Sequence, residues 1–208
     1  MGATVMVLWT ASLIVAVVVA VQKDTDPVVR SAARLGFVIS LAGMALGFIM
    51  TSPTAAQEEA LESKTATMIG AHSVGVADGG PSMPVTGWAT TGGDLRIPHF
   101  AGIHALQVLP LLALLLAVVA AKYPIRTRRN VVRVTAAAYA GLVTLLTWQA
   151  LRGQPLLQPD LKTLAALGGL AVLTCAGVAL AMKKRYPEGK PRPTALTDAG
   201  VAPAMQQR

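Results

Sequence analysis

Charge is what this chain has least of. Lys, Arg, Asp and Glu together make up 13% of its 208 residues, against roughly 25% in a water-facing domain. With 53% of the residues hydrophobic, composition favours a surface that faces lipid. Aromatics are scarce at 4%, and the apolar mass is Ala, Leu and Val. The formal net charge of +8 does not point to nucleic acid, because no basic patch is interleaved with aromatic residues. The positive side chains lie instead at the ends of apolar runs and in the C-terminal tail, which suits cytoplasmic loops beside anionic lipid. The single cysteine, Cys175, excludes an internal disulfide and any C-x-x-C motif. Inside an apolar run it reads as a small packing residue. No Asp, Glu, Lys or Arg falls in the middle of such a run, which argues against a proton-coupled pump or a voltage sensor. H-E-x-x-H, a P-loop and a serine nucleophile elbow are also missing.

What the chain does have is long apolar stretches. A helix needs about 20 such residues to cross the hydrocarbon core, and five runs qualify, near 3–21, 34–50, 98–121, 131–151 and 161–182. The first lacks the basic start and the cleavage site of a signal peptide, so it reads as a retained anchor. Orientation follows from Lys and Arg. The first connection carries Lys23, Arg30 and Arg34, and the third carries Lys122, Arg126, Arg128, Arg129 and Arg133. The tail opens with Lys183, Lys184 and Arg185. The second connection is acidic instead, with Glu58, Glu59, Glu62, Asp78 and Asp94 against Lys64 and Arg96; the fourth is short, with Arg152, Lys162 and Asp160. This alternation predicts an all-α membrane protein of five spans, with the N-terminus outside and the C-terminus cytoplasmic. Residues 1–186 form the transmembrane domain, and 187–208 have the composition of a disordered cytoplasmic tail.

The outer loop, 51–97, starts with a capping signature: Thr54 and Gln57 can form a capping box around a short helix, with Ser52 as the alternative cap. The stretch HSVGVADGGPSMPVTGWATTGGD that follows is dense in Gly and Pro and reads as turns rather than strands. Asp78-Gly79-Gly80-Pro81 reads as a turn and not a cation loop. Val74, Val76, Met83, Val85 and Trp88 argue for an ordered loop folded over the mouth of the bundle. Gly43 and Gly47 form a GxxxG pair whose simplest use is helix packing within the chain. Trp9, Trp88 and Trp148 suit an outer aromatic belt. Thr144, Thr147 and Gln149 lend polarity to the outer end of the fourth span.

All three histidines map to this outer side. Asp94 can cap the third span and Pro98 suits its first turn, which puts His99 at the helix mouth. His104 follows about 7.5 Å deeper, and Gln107 shares its face with Phe100 and Leu111. An imidazole and an amide at that depth are costly in lipid, so this face is expected to point into the bundle. Pro110 can kink the helix. His99 and His104 are turned about 140° from each other on a helix, too far to chelate one metal. A transition metal or haem would instead take one of them with His72, completed by Asp78, Asp94, Met68 or Met83. Hydrogen bonding to backbone and headgroups is the plainer role for the histidines, and a capping or surface pair is the plainer role for Asp94 and Arg96.

The segment HSVGVADGGPSMPVTGWATTGGDLRIPHFAGIHALQVLPLL, with TSPTAAQ before it, resembles a group of bacterial multi-pass membrane proteins of uncharacterised activity. They share an H-[ST]-V-G, D-G-G-P, G-W-[AS]-T, G-D-L-R, H-F and H-A-L-Q pattern, matched over roughly residues 49–115. The resemblance implies that His72, Asp78, Trp88, Asp94, Arg96, His99, His104 and Gln107 belong to one unit, in a bacterial cell membrane. The expected function is a binding module, its pocket lined by His72, Trp88, His99, His104 and Gln107, for a metal, haem or small ligand at the outer face. Two alternatives remain open: a structural or accessory subunit of a membrane complex, and a membrane-bound redox component. Expected partners are the lipid bilayer and either another membrane protein or a second copy of the chain.

Overall fold

The computed structural model describes residues 2–22, 25–65 and 69–183. The readings that rest on Lys23, Met68, Lys184, Arg185 and the tail lie outside the described residues. The first helix, α1, is Gly2–Val21. Helix α2, Pro27–Thr51, starts where the sequence stops it from starting earlier: Asp26 accepts the Val28 and Val29 amides at 2.7 and 3.2 Å, and Pro27 fits the first turn. Helix α3, Ala55–Glu62, carries both halves of the expected Thr54–Gln57 capping box. Helices α4, Arg96–Val119, α5, Ile125–Leu151, and α6, Leu161–Lys183, complete the order. Between α3 and α4 a minimal antiparallel ladder pairs β1, Ser73–Val74, with β2, Gly93–Asp94. The connection is thus mostly turns, as expected, but it does contain this short pairing and an isolated antiparallel bridge between Ser82 and Ala89.

Helices α2, α4, α5 and α6 are long and apolar enough to cross a membrane. Helix α1 has a shorter apolar stretch, Ala3–Val19. Its Trp9 packs edge-on against Phe48 at 6.3 Å and donates to the Leu41 carbonyl at 3.0 Å, fastening α1 to α2.

Small residues set the core. The buried stripe of α2 is Ala32, Gly36, Ile39, Ser40, Gly43 and Gly47, and that of α4 is Pro98, Gly102, Ala105, Leu109 and Ala113. Apart from the neighbours Ile39 and Ser40, both advance by three or four residues, so each is one helix face. The helices run antiparallel, with Gly43 against Gly102 and Gly36 against Ala105. A Cβ on Gly43 would lie 2.6 Å from the Gly102 Cα. Such closeness is what allows helices to gain dispersion contact where lipid supplies no hydrophobic drive. Val132, Ala136 and Val143 of α5 close the core from the other side, and the Tyr139 hydroxyl donates to the Ala101 carbonyl at 2.6 Å.

The α4 stripe reverses one expectation. His104 and Gln107 are exposed, while Ala105 and Leu109 between and beyond them are buried. Packing of small residues decided which face turned inward, and the polar groups found partners locally instead. Cys175 likewise lies exposed on α6 rather than in a packed interior.

The glycine contact makes a prediction. Gly43→Ala should destabilise the bundle by about 1–3 kcal/mol through overpacking against backbone that cannot move aside. Gly168→Ala, where a Cβ meets nothing within 4 Å, should leave the thermal midpoint of the detergent-solubilised protein unchanged or higher.

Candidate functional site

The connection from α2 to α4 is folded onto one end of the bundle by a series of backbone ties. Gln57, besides capping α3, clamps Gly70: its amide nitrogen donates to the Gly70 carbonyl at 3.0 Å and its oxygen accepts the Gly70 amide at 2.9 Å. Ala71 donates to Met50 of α2 at 3.0 Å, and Leu95 donates to the His72 carbonyl at 2.9 Å. The ladder between β1 and β2 then lies directly on the end of α5. A Cβ on Gly93 would overlap the Ala150 carbonyl, so only glycine permits that approach.

Asp94 is the centre of this arrangement. Its side chain has no exposure, and every bond it makes comes from a nearby donor. Oδ2 accepts the Ala89 amide at 2.9 Å, and Oδ1 accepts the Arg96 amide at 3.0 Å. The Arg96 guanidinium grips both oxygens, Nε at 3.0 and 3.2 Å and Nη2 at 2.6 Å, and Nη2 also donates to the Gly87 carbonyl at 2.6 Å. Of the two roles expected for the pair, a cap or a surface contact, neither fits fully: Arg96 is the counter-charge of a buried carboxylate, and Asp94 accepts the first amide of α4 although Leu95, not Asp94, holds the N-cap position. Burial alone would raise the Asp94 pKa; the Arg96 side chain and the Ala89 and Arg96 amides override it and hold the group below the usual 3.8.

Asp78 closes the adjoining turn. It accepts the His72 and Ser73 amides at 3.2 and 2.8 Å. Burial again works to raise its pKa, and is outweighed by the Ser73 side chain and the two amides, with a further contribution from His72 charge. The His72 Nδ1 lies 3.4 Å from Asp78, 3.9 Å from Asp94 and 3.2 Å from the Ser73 hydroxyl. With Nδ1 facing these oxygens, Nε2 is the imidazole nitrogen left for a ligand. On Arg96 the corresponding free group is Nη1, which has no hydrogen bond among the described residues. His72 and Arg96 both line a cavity of about 200 Å³ walled by Gly79, Gly80, Ser82 and Thr91.

The other expected site residues go elsewhere. Trp88 and His104 line a separate, largely apolar cleft of about 600 Å³ with Phe100, Leu146 and Leu156. The His104 Nδ1 donates to the Phe100 carbonyl of its own helix at 2.6 Å. His99 stands between helices and donates from Nδ1 to the Gly43 carbonyl at 2.9 Å, which ties the loop end of α4 to the glycine face of α2. Gln107 is exposed and, oriented to satisfy both its groups, donates to the Ile103 and His104 carbonyls. The five residues expected to line one pocket thus occupy two cavities, a helix interface and an open face. Nor are His72, His99, His104, Asp78 and Asp94 assembled as a metal centre: among the described residues no group of three or more His, Cys, Asp or Glu is placed to hold an ion.

The polar residues near the end of α5 do not face a shared cavity either. Gln149 is buried and donates to the Pro155 carbonyl at 2.8 Å, while Thr144 and Thr147 donate to carbonyls one turn back. Beside them Arg152 pairs with Asp160 and stacks over Trp148 at 4.3 Å. The Arg152 side chain, followed by the Thr163 amide and hydroxyl, holds the Asp160 carboxyl far below the usual range.

No protein-family model, curated protein or solved structure matches the chain.

Asp94→Asn would keep the shape and leave Arg96 without its counter-charge. We expect a loss of roughly 2–3 kcal/mol, below the 3–5 kcal/mol of a fully buried pair because Arg96 is 26% exposed. The pH dependence has the sign of a depressed carboxylate: the stability from Asp94 is complete above pH 3.8 and drains away as pH falls through its lower folded value. Trp88 fluorescence should report loop release in acid for the wild type, and the acid-sensitive step should vanish in Asp94→Asn.

Proposed function

We propose that this chain is a five-span membrane protein, N-terminus outside and C-terminus cytoplasmic, whose outward loop binds a small polar ligand. The observation that carries the reading is that His72 and Arg96, a base and a fixed cation, both line the 200 Å³ cavity. Asp94 fixes the guanidinium, and the His72 ring stands beside the Ser73 hydroxyl and Asp78, so the Arg96 group at least is oriented before anything binds, which lowers the ordering cost of association. Arg96 can only donate, and an imidazole that is not protonated offers one nitrogen that accepts. A fitting ligand therefore offers an acceptor and a donor a few ångströms apart, as an amide, a hydroxy acid or a hydrogen phosphate does. The volume is below the usual range for drug-sized ligands, about 300–1,000 Å³, and selects a compound of few atoms. The two carboxylates behind the wall offset the Arg96 charge, so high negative charge on the ligand is not favoured.

The topology is supported by charge. Arg30, Arg34, Lys122, Arg126, Arg128, Arg129, Arg133 and Lys183 all lie toward the end opposite the loop, as cytoplasmic segments require. Helix α1 supplies the fifth span: 20 residues rise about 30 Å, the thickness of the hydrocarbon core. His99 and His104, with their Nδ1 atoms on backbone carbonyls, act structurally in this reading. They are the part of the site that also suits an accessory subunit.

Two experiments test the proposal. In a Cys175→Ser background, Val85→Cys at the exposed loop tip should react with a membrane-impermeant maleimide added to intact cells. Labelling only after lysis contradicts the topology. For the ligand, acetamide, glycolate and phosphate should be titrated at matched ionic strength. At least one should raise the thermal midpoint of the wild type and lose that effect in His72→Ala. If none does, the accessory role stands in place of binding.

A further inference from the structure

The apolar cleft of about 600 Å³ descends the flank of the bundle. Thr86 and Trp88 of the loop form one wall, with Phe100 and His104 of α4, Leu146 of α5 and Leu156 beyond it forming the rest. His104 lies about 12 Å along α4 from Arg96, and Leu146 about 7.5 Å back from the end of α5 at Leu151. Polar equipment in the cleft is sparse. His104 is exposed, and its Nδ1 is already engaged as a donor to the Phe100 carbonyl at 2.6 Å. In the neutral ring Nε2 is then an acceptor, and it has no hydrogen-bond partner among the described residues. An acceptor at that depth is costly beside hydrocarbon unless something donates to it. The rings of Trp88 and Phe100 both line the cleft yet make no ring contact with each other among the described residues.

The loop wall is also strained. Val85, next to Thr86, has φ 72°, where a β-branched residue is an outlier, and its side chain is fully exposed. Three bonds hold the turn in this form. The Met83 amide donates to the Trp88 carbonyl at 2.8 Å, the Gly87 amide to the Met83 carbonyl at 3.0 Å, and Arg96 to the Gly87 carbonyl at 2.6 Å. Strain of this kind collects at ligand clamps, and here it fixes Thr86 and Trp88 on the same cleft as His104.

We propose that this cleft binds a lipid-soluble phenol or hydroquinone. Its hydroxyl donates to His104 Nε2, its ring stacks against Trp88, and its alkyl tail runs over Leu146 and Leu156. The volume falls within the ordinary range for such ligands, about 300–1,000 Å³. A fatty acid, ionised at neutral pH, has no proton for Nε2 and no ring, so it would use only the apolar walls. Helices α4 and α5 are each long and apolar enough to cross a membrane, so the ligand can enter sideways from the bilayer. The site is separate from the loop cavity lined by His72 and Arg96, and gives His104 a use beyond the bond to its own helix.

The test uses the full chain in dodecyl maltoside with 2-decylhydroquinone, kept reduced by ascorbate, and with its dimethyl ether. Retention is read by native mass spectrometry and stability by thermal shift. The hydroquinone should be retained one per chain, raise the midpoint, and bind about five- to tenfold more tightly than the ether, the worth of one hydrogen bond. In His104→Leu, whose side chain makes only a local bond, that preference should vanish while both compounds still bind. Trp88→Leu should weaken both. Equal binding of the two compounds to the wild type, a preference that survives His104→Leu, unchanged retention in Trp88→Leu, or full displacement by oleic acid at equal concentration would overturn the assignment.

Discussion

The loop end of this molecule depends on one buried carboxylate. Asp94 has no exposure, yet it is held ionised, because two backbone amides and a two-pronged guanidinium all donate to it. A charge in that position is tolerable only while every one of those donors stays in place. The donors come from two places, Ala89 in the loop and Arg96 at the start of α4, which gives both its amide and its side chain, so satisfying Asp94 fixes loop and helix start at once. Arg96 in turn reaches Gly87, and the strand that carries Asp94 lies on the end of α5. The cavity beside His72 is a consequence of this arrangement rather than an independent feature.

The loop can be held this tightly only because the helices beneath it do not slide. The glycine contact between α2 and α4 supplies that rigidity, and His99 joins the two levels, since its ring leaves α4 one turn above the Gly102 contact and ends on the Gly43 carbonyl. Packing, backbone satisfaction and the placement of the ligand-facing groups therefore form one chain of dependence. It runs from Gly43 through His99 and the start of α4 to Asp94.

Much of this was legible in the sequence, and the parts that were not have physical reasons. Apolar run length located the four long helices, because crossing a bilayer imposes a length that few other constraints mimic. The Thr54–Gln57 capping box was readable because it is local, and the GxxxG pair because only glycine allows backbones so close. The inward face of α4 was not legible: a polar group in lipid is costly, but His104 satisfies itself on the Phe100 carbonyl one turn back and can face outward. Asp94 and Arg96 read as a capping or surface pair because two residues of separation carry no information about burial; the burial comes from Gly93 meeting Ala150. Three histidines on one side suggested a shared site, but their backbone environments differ, and spacing along the chain does not reveal them.

The central claim is that a glycine-rich connection is held as firmly as the helices by a buried ion pair. Hydrogen–deuterium exchange of the protein in lipid nanodiscs at neutral pH tests it directly. The account predicts that the amides of Ala89, Leu95 and Arg96 exchange as slowly as those in the middle of α4. Exchange at those amides as fast as in an unstructured peptide would contradict it.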